Sequence, residues 1–202
     1  MKCLNVLVAC ETSGKVREAF RKLGHNVQSC DLLPSDDDSP HHIQCDIREL
    51  FRRANKVDKR WDLIIMHPSC TALCVSGNRW YGTGMPKNDE RVTSLAWTLK
   101  LWIIAKEMSD HVAMENPVSV LFSSIDDPVQ YIQPWQYGHG ETKKTGFALH
   151  NLPELVPTDI VTGRDDRIHK MPPSKDRWKL RSETYQGIAD AMAEQWSRYL
   201  NA

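Results

Sequence analysis

Short apolar runs alternate with amphipathic segments along residues 4–149. Such runs are typical of buried parallel strands, and apolar positions repeating every three to four residues are typical of helices that pack on a sheet. We predict strands at residues 4–10, 25–30, 43–45, 61–66 and 111–114, with a further short strand at 147–149. The alternation favours an α/β fold with a mostly parallel sheet and helices on both faces.

Four helices follow from the same pattern. One begins after the first strand and is closed by Gly24, a short one follows the third strand, and a C-terminal helix covers residues 181–200. The longest covers residues 89–109, and its predicted apolar face consists of Leu95, Leu99, Trp102, Ile103 and Met108. There is no internal repeat and no linker, so we expect a single domain over residues 1–202.

Three segments are predicted to be loops. Residues 32–42 are acidic and contain His41 and His42, which we expect to be exposed and without a role. Residues 72–88 are polar and rich in glycine, and include Trp80 and Tyr81, which either stack on a base or simply pack. Residues 150–181 form a short basic region with the cations Arg164, Arg167, Lys170, Lys175, Arg177, Lys179 and Arg181.

Composition narrows the class of protein. The 26 Lys and Arg residues balance 26 Asp and Glu residues, which excludes a globally basic nucleic-acid coat but leaves room for a local basic patch. The chain has no run of 18 apolar residues and no signal-peptide pattern, so we expect no membrane association and a cytoplasmic location. The six cysteines are therefore expected to be reduced thiols. Cys74 lacks a partner pair with metal-ligand spacing, so no metal site is predicted.

Polar residues stand where the predicted strands end. They are residues 11–14, Asp31, Asp46, residues 68–70 and residues 115–117. Ligands of open parallel sheets bind beyond the carboxyl ends of the strands, and an acidic residue closing the second strand commonly binds a ribose. This pattern indicates a cofactor that contains a nucleoside.

The end of the fourth strand resembles the cytosine-C5 DNA methyltransferase family, in particular its short phage-type members without a large target-recognition domain. Asp62 and an apolar strand precede Pro68-Ser69-Cys70-Thr71, where the family has Pro-Pro-Cys-Gln, and Gly77 keeps the family's spacing of seven residues from the cysteine. Glu115-Asn116-Pro117 stands where the family has Glu-Asn-Val. This resemblance implies a Rossmann-like S-adenosylmethionine-dependent methyltransferase fold.

Further motifs match in part. Residues 14–20 match the amino-terminal motif, although Glu11 and Ser13 replace two glycines. Tyr137-Gly138 precedes a segment in which Lys143 occupies the place of the first arginine of Gln-x-Arg-x-Arg, while Glu141 and Thr145 replace the glutamine and the second arginine. The residues that resemble the last motif are Tyr185, Gln186 and Gly187, with Ile188 in place of asparagine.

The resemblance implies roles for individual residues. Cys70 would add to C6 of cytosine as a thiolate, Glu115 would hold N3 and the exocyclic amine, and Asn116 would fix the turn or the base, with Lys143 beside them. Asp31 would bind the ribose of S-adenosylmethionine and Asp46 its adenine amine. The turn at residues 12–14, at a helix N-terminus, would face the methionine carboxylate. The complete set of expected cofactor residues is Cys10, Glu11, Thr12, Ser13, Gly14, Asp31, Leu32, Asp46, Ile47 and Pro68.

Several readings of the function remain open at this point. The expected acceptor is C5 of cytosine in DNA, single-stranded or read with weak sequence preference, because residues 150–181 are too few to read a long site. The same addition chemistry would serve a free pyrimidine nucleotide. The missing motif residues also fit a cofactor-binding or DNA-binding module without catalysis, and a nucleotide-binding enzyme unrelated to methyl transfer is a further alternative. The oligomeric state is open.

Overall fold

A seven-stranded sheet forms the centre of the molecule. The computed structural model describes residues 2–57 and 60–202. Its strands follow the order β3-β2-β1-β4-β5-β7-β6, in which β3 to β5 are mutually parallel and β7 is antiparallel to both of its neighbours. The strands are β1 (Asn5–Ala9), β2 (Asn26–Asp31), β3 (His42–Gln44), β4 (Leu63–Met66), β5 (Val112–Pro117), β6 (Val129–Ile132) and β7 (Thr145–His150).

Helices cover both faces of this sheet, which confirms the predicted α/β class. On one face α1 and α7 pack on alternate strand residues, with Phe20 and Trp196 fully buried. On the other face α2 and α4 pack on the remaining strand residues through Phe51 and Trp102. The helices are α1 (Lys15–Lys22), α2 (Ile47–Lys56), α3 (Asn78–Tyr81), α4 (Asn88–Met108), α5 (Arg167–Lys170), α6 (Arg177–Ser182) and α7 (Gln186–Leu200).

Several elements differ from the sequence-based prediction. Strand β6 was not predicted, because it has only four residues and a run this short is a weak strand signal. The C-terminal helix begins at Gln186 instead of residue 181, and α5 and α6 interrupt the segment predicted as loop. A Cβ at Gly187 would lie 1.9 Å from the carbonyl oxygen of Tyr137, so a tertiary contact fixes where α7 begins.

The acidic loop after β2 is fastened to the sheet, so the prediction that His41 and His42 are exposed and idle was wrong. Both are half-buried. His42 Nε2 donates to the carbonyl of Leu33 at 2.9 Å, which leaves Nδ1 to accept from Ser29 Oγ, also at 2.9 Å. Ser29 in turn accepts from the fully buried Arg17 at 2.7 Å. This chain of bonds holds the loop beside the end of β2.

The predicted apolar face of α4 was wrong at Ile103, whose side chain is 56% exposed. Leu101 is buried instead, together with Thr98, whose hydroxyl donates to the carbonyl of Ser94 at 2.8 Å. Because the hydroxyl has this hydrogen bond within the helix, burying the threonine costs little free energy. The buried face of α4 therefore includes a polar residue, which a prediction from apolar positions alone does not identify. No helix in the described ranges is long and apolar enough to cross a membrane.

The two positions provide a matched test of this packing. Leu101→Ala is expected to lower the free energy of unfolding by about 2–5 kcal/mol, because it opens a cavity in the core. Ile103→Ala removes the same kind of side chain from the surface and should cost less than about 1 kcal/mol. Urea denaturation of both variants measures the difference. Equal losses of unfolding free energy in the two variants would contradict the placement of Leu101 in the core and of Ile103 on the surface.

Candidate active site

Three central strands bring the predicted polar residues to one edge of the sheet. Met66 of β4 pairs with Ala9 of β1 on one side and with Met114 of β5 on the other. Cys10 and His67, which follow β1 and β4, therefore lie level with Glu115. The prediction that β5 ends before Glu115 was wrong, because β5 continues to Pro117 and pairs there with β7. This edge is the candidate active site.

The turn that carries Cys70 is fastened to the neighbouring strand. Asn116 is fully buried, and its Nδ2 donates to the carbonyl of Pro68 at 3.1 Å. Its Oδ1 is also buried, with no hydrogen-bond partner among the described residues. Asn116 therefore fixes the turn, as one of its two expected roles requires, and leaves an acceptor in the site.

A second anchor of this turn is Arg91 of α4, which the sequence reasoning missed. Its guanidinium donates to the carbonyls of Ala72 at 2.7 Å and Cys74 at 3.1 Å, and to Asn78 Oδ1 at 2.8 Å. An arginine on an amphipathic helix ordinarily indicates a solvent-facing position, so no sequence signal marked it. Its buried bonds stabilise the backbone just beyond Cys70.

Cys70, Glu115 and Lys143 interact electrostatically in a largely buried site. Burial and, to a smaller extent, the charge of Glu115 raise the pKa of the Cys70 thiol to about 11, and the ammonium of Lys143 opposes this shift. Burial also lowers the pKa of Lys143, against the attraction of Glu115 and Cys70. Lys143 Nζ donates to the carbonyl of Glu183 at 3.0 Å. The structure thus brings all four expected catalytic residues to this edge.

His67 joins this group and was not among the expected site residues. Its Nδ1 lies 3.4 Å from Glu115 Oε2, and both side chains are largely buried. Its charge also acts on Glu11, so the imidazole lies between two carboxylates. Its position directly before Pro68, at a strand end, was the signal that could have identified it.

The turn after β1 differs from the expectation that it exposes free N–H groups to an anion. Cys10 has a left-handed backbone with φ of 60°. The carboxylate of Glu11 is buried at the start of α1, where its Oε1 accepts from the Val16 backbone N–H at 2.9 Å and from Ser13 Oγ at 3.3 Å. Glu11 therefore already occupies the anion position predicted for a methionine carboxylate.

Gly14 makes this turn possible. It has φ of 71°, and a Cβ there would lie 2.3 Å from the guanidinium of the buried Arg17. Thr12 Oγ1 donates to Asp36 at 3.3 Å, which joins the turn to the acidic loop. The amino-terminal motif is thus built around a close approach that only glycine allows.

The acidic residues expected to bind the nucleoside converge on Cys10. Burial, Asp31 and Asp46 together raise the pKa of the Cys10 thiol to about 12. Asp31 accepts from the Leu33 backbone N–H at 2.9 Å, whereas Asp46 caps α2 by accepting from the N–H of Arg48 at 2.8 Å and also pairs with that guanidinium. Of the two apolar residues expected there, Leu32 is exposed and Ile47 is buried in the core.

These residues fit S-adenosylmethionine in charge. Glu11 Oε2 is buried without a partner among the described residues, and an acceptor of this kind fits the ammonium of the methionine moiety. Asp31, at the end of β2, suits ribose hydroxyls, since a carboxylate accepts two hydrogen bonds. The fit therefore requires the amino group, and not the carboxylate, to face Glu11.

Other features lie at or away from this edge. Trp80 of α3 is half exposed, with the guanidinium of Arg79 5.4 Å from its ring. Clefts of about 380 and 490 Å³ lie elsewhere, the first at the amino ends of the strands around Asp62 and His111. Within the described part of the chain, all six cysteines are free, and no group of three or more His, Cys, Asp or Glu side chains is placed to hold a metal ion.

Comparison with known proteins yields structural similarity without sequence similarity. No family model and no curated protein matches the chain. Among solved structures, the methyltransferase EhMeth of Entamoeba histolytica is 12% identical, with a TM-score of 0.54 over 82% of this chain and 58% of that one. The Dnmt2 methyltransferase of S. pombe is 14% identical, with a TM-score of 0.48 over 84% and 54%.

A third solved structure, from E. coli, is described as a DNA modification methyltransferase encoded within a prophage; it is 16% identical, with a TM-score of 0.49 over 79% of this chain and 53% of that one. The chain thus spans little more than half the length of these proteins. The likeness to EhMeth shows that the chain shares the Rossmann-like α/β fold of that structure, as the resemblance implied.

The electrostatic coupling predicts opposite effects on the reactivity of Cys70. Glu115→Gln removes a charge that raises the pKa of the thiol, so alkylation by iodoacetamide at pH 8 should accelerate. Lys143→Gln removes an opposing charge and should slow it. A shift of one pKa unit is expected to change the rate about threefold, because lower basicity partly offsets a larger thiolate fraction.

Mass spectrometry of the Cys70 peptide measures these rates, with the exposed Cys3 as an internal reference in the same sample. A change of the same sign in both variants would indicate altered access and contradict the coupling. An equal change in the alkylation rate of Cys3 would also contradict the coupling, because Cys3 serves as the reference outside the site.

Proposed function

We propose that this chain is an S-adenosylmethionine-dependent methyltransferase that acts on C5 of cytosine in DNA through a covalent adduct between Cys70 and C6. The observation that carries this proposal is the mutual electrostatic influence of Cys70, Glu115 and Lys143 at the carboxyl edge of a methyltransferase fold. A thiol that adds to C6 and a carboxyl that holds N3 are the two groups this addition requires.

In the first step Cys70 forms a bond from sulfur to C6, and the electron pair of the C5–C6 double bond moves towards C5 and the ring. The raised pKa means that Cys70 rests as a thiol, so its proton must leave when the base binds. Glu115 raises that pKa through its charge, and a protonated Glu115 no longer does so. Proton uptake by Glu115, which then donates to N3, therefore favours the thiolate.

The remaining residues hold this arrangement in place. His67 contacts Glu115 and can hold a proton with it, while Lys143 offsets negative charge on Cys70 and on the ring. When bound, S-adenosylmethionine supplies the methyl group, with Glu11 and Asp31 as the residues that would hold it. Water from the solvent then takes the C5 proton, the electron pair of that C–H bond re-forms the C5–C6 double bond, and sulfur leaves C6. N3 returns its proton through Glu115 to Cys70, so both groups are restored.

DNA is proposed as the source of the cytosine. The exposed Trp80, with Arg79 beside its ring, offers a stacking surface close in sequence to Cys70, and exposed aromatic rings of this kind suit unpaired bases. An extruded or single-stranded base is needed, since C5 and C6 are inaccessible inside a duplex. A free pyrimidine nucleotide remains the alternative acceptor, and a module without catalysis the alternative class.

Covalent trapping tests the proposal directly. The protein is incubated with S-adenosylmethionine and single-stranded DNA that contains 5-fluorocytosine, and its intact mass is measured after denaturation. Fluorine cannot leave C5 as a proton does, so the adduct should persist with the mass of the DNA and one methyl group added. Cys70→Ser should abolish the adduct, whereas Cys74→Ser, four residues away, should retain it.

Three other outcomes are informative. An adduct with 5-fluorodeoxycytidine monophosphate but not with DNA would move the acceptor to the nucleotide pool. Retention of the adduct in Cys70→Ser would contradict the assigned nucleophile. Cofactor binding without any adduct would contradict the mechanism and favour a binding module.

A further inference from the structure

Helix α6 lies over the candidate active site and is tied to it at several points. Lys179 pairs with Asp36 of the acidic loop at 2.7 Å. Glu183, just after the helix, pairs with Lys15 at the start of α1 at 2.8 Å, while its carbonyl accepts from Lys143 at 3.0 Å. The basic segment therefore spans from the turn after β1 to the side of the site that contains Lys143.

One face of α6 places two arginines towards the protein. Arg177 and Arg181 are four residues apart and so lie on the same side of the helix. The Nε atoms of both are buried without a hydrogen-bond partner among the described residues. By contrast, Trp178 and Leu180, which lie on either side of that face, are 60% and 50% exposed.

Several other cations of the segment are already engaged. Arg167 pairs with Glu141, Lys170 with Asp166 and Lys179 with Asp36. Neither Arg177 nor Arg181 has an ion-pair or side-chain hydrogen-bond partner within the described ranges. A buried N–H group without an acceptor is costly, so two of them on one face indicate that an acceptor from outside the chain completes the site.

The hydrogen bond from Lys143 to the carbonyl of Glu183, two residues after Arg181, brings the end of α6 close to the reacting groups. The charge of Arg181 contributes to the lowered pKa of Lys143, the lysine that also interacts with Cys70 and Glu115. Cations this close repel one another unless an anion joins them. The guanidinium group presents donors in a planar fork that matches two oxygens of a phosphate.

We infer that Arg177 and Arg181 form a binding site for a phosphate group of the nucleotide substrate, whether in a DNA strand or in a free nucleotide. The inference rests on the proposed function for the identity of the base, and specifies how the substrate is held. The carboxylate of the cofactor is disfavoured as the occupant, because Glu183 and Asp36 line the side of α6 that faces the turn after β1.

Binding without methyl transfer tests this site. Equilibrium dialysis in the absence of cofactor compares deoxycytidine monophosphate, deoxycytidine and a single-stranded deoxycytidine oligonucleotide. Arg177→Gln and Arg181→Gln should each weaken binding of the probes that carry phosphate about tenfold, the loss expected of a charge-assisted hydrogen bond, and should leave deoxycytidine binding unchanged. Arg198→Gln, on the exposed last turn of α7, removes the same charge elsewhere and should have little effect.

Each result decides the inference. Arginine-dependent binding of the oligonucleotide alone supports a DNA phosphate, and binding of the monophosphate as well supports a site that accepts either source. Wild-type protein that binds neither probe, variants that bind as the wild type does, or an equal loss in Arg198→Gln would overturn it. Weakened binding of S-adenosylmethionine with nucleotide binding intact would also overturn it, by assigning the arginines to the cofactor.

This test fails separately from the trapping experiment. Arginine-dependent phosphate binding without any Cys70 adduct would remove the proposed methyl transfer and leave the phosphate site standing. If both arginine variants form the Cys70 adduct and bind DNA with normal affinity, the proposed methyl transfer stands and the phosphate site is contradicted. Urea denaturation of each variant shows whether its fold is intact.

Discussion

The parallel pairing of β4 with both β1 and β5 is the constraint on which the rest of the structure depends. It aligns Ala9, Met66 and Met114 in one row, so the polar residues that come next are delivered to one edge. The driving force lies in the apolar interiors of the strands, which are buried on both faces. Reactive groups distant in sequence, such as Cys70 and Glu115, therefore meet without any attraction between them being required.

Because the site is largely buried, each charge at this edge shifts the pKa of the neighbouring groups. Cys70 is held as a thiol by burial and by Glu115, while Lys143 is made less basic by burial. Such a site resists having its thiolate and carboxylate charged together, because their repulsion is poorly screened. A ligand that takes a proton from one group and gives one to another changes this balance, which is how base binding and activation of the nucleophile can be coupled.

The sequence predicted those parts of the fold and site that depend on local pattern. Strand ends and the spacing around Cys70 and Glu115 identified the edge, because both are properties of short segments. The role of Arg91 was not predicted, because it depends on hydrogen bonds to backbone carbonyls in a loop that is distant in sequence. The contact between Glu11 and the N-terminus of α1 was not predicted either, because its side chain folds back onto its own helix and a motif does not record that. Ile103 lies outside the core because α4 buries a threonine with an internal bond in its place.

The segment between β7 and α7 shows how a protein of zero net charge could bind the anionic substrate proposed for it. Net charge is zero, yet the acidic partners of this segment are not distributed evenly: Asp36, Glu141 and Asp166 neutralise cations that fasten it to the body or to itself. Among the described residues of this segment, the half-buried cations without an ion-pair partner are Arg177 and Arg181 of α6. Ion pairing on the periphery thus orients the segment and concentrates uncompensated positive charge where a phosphate would lie.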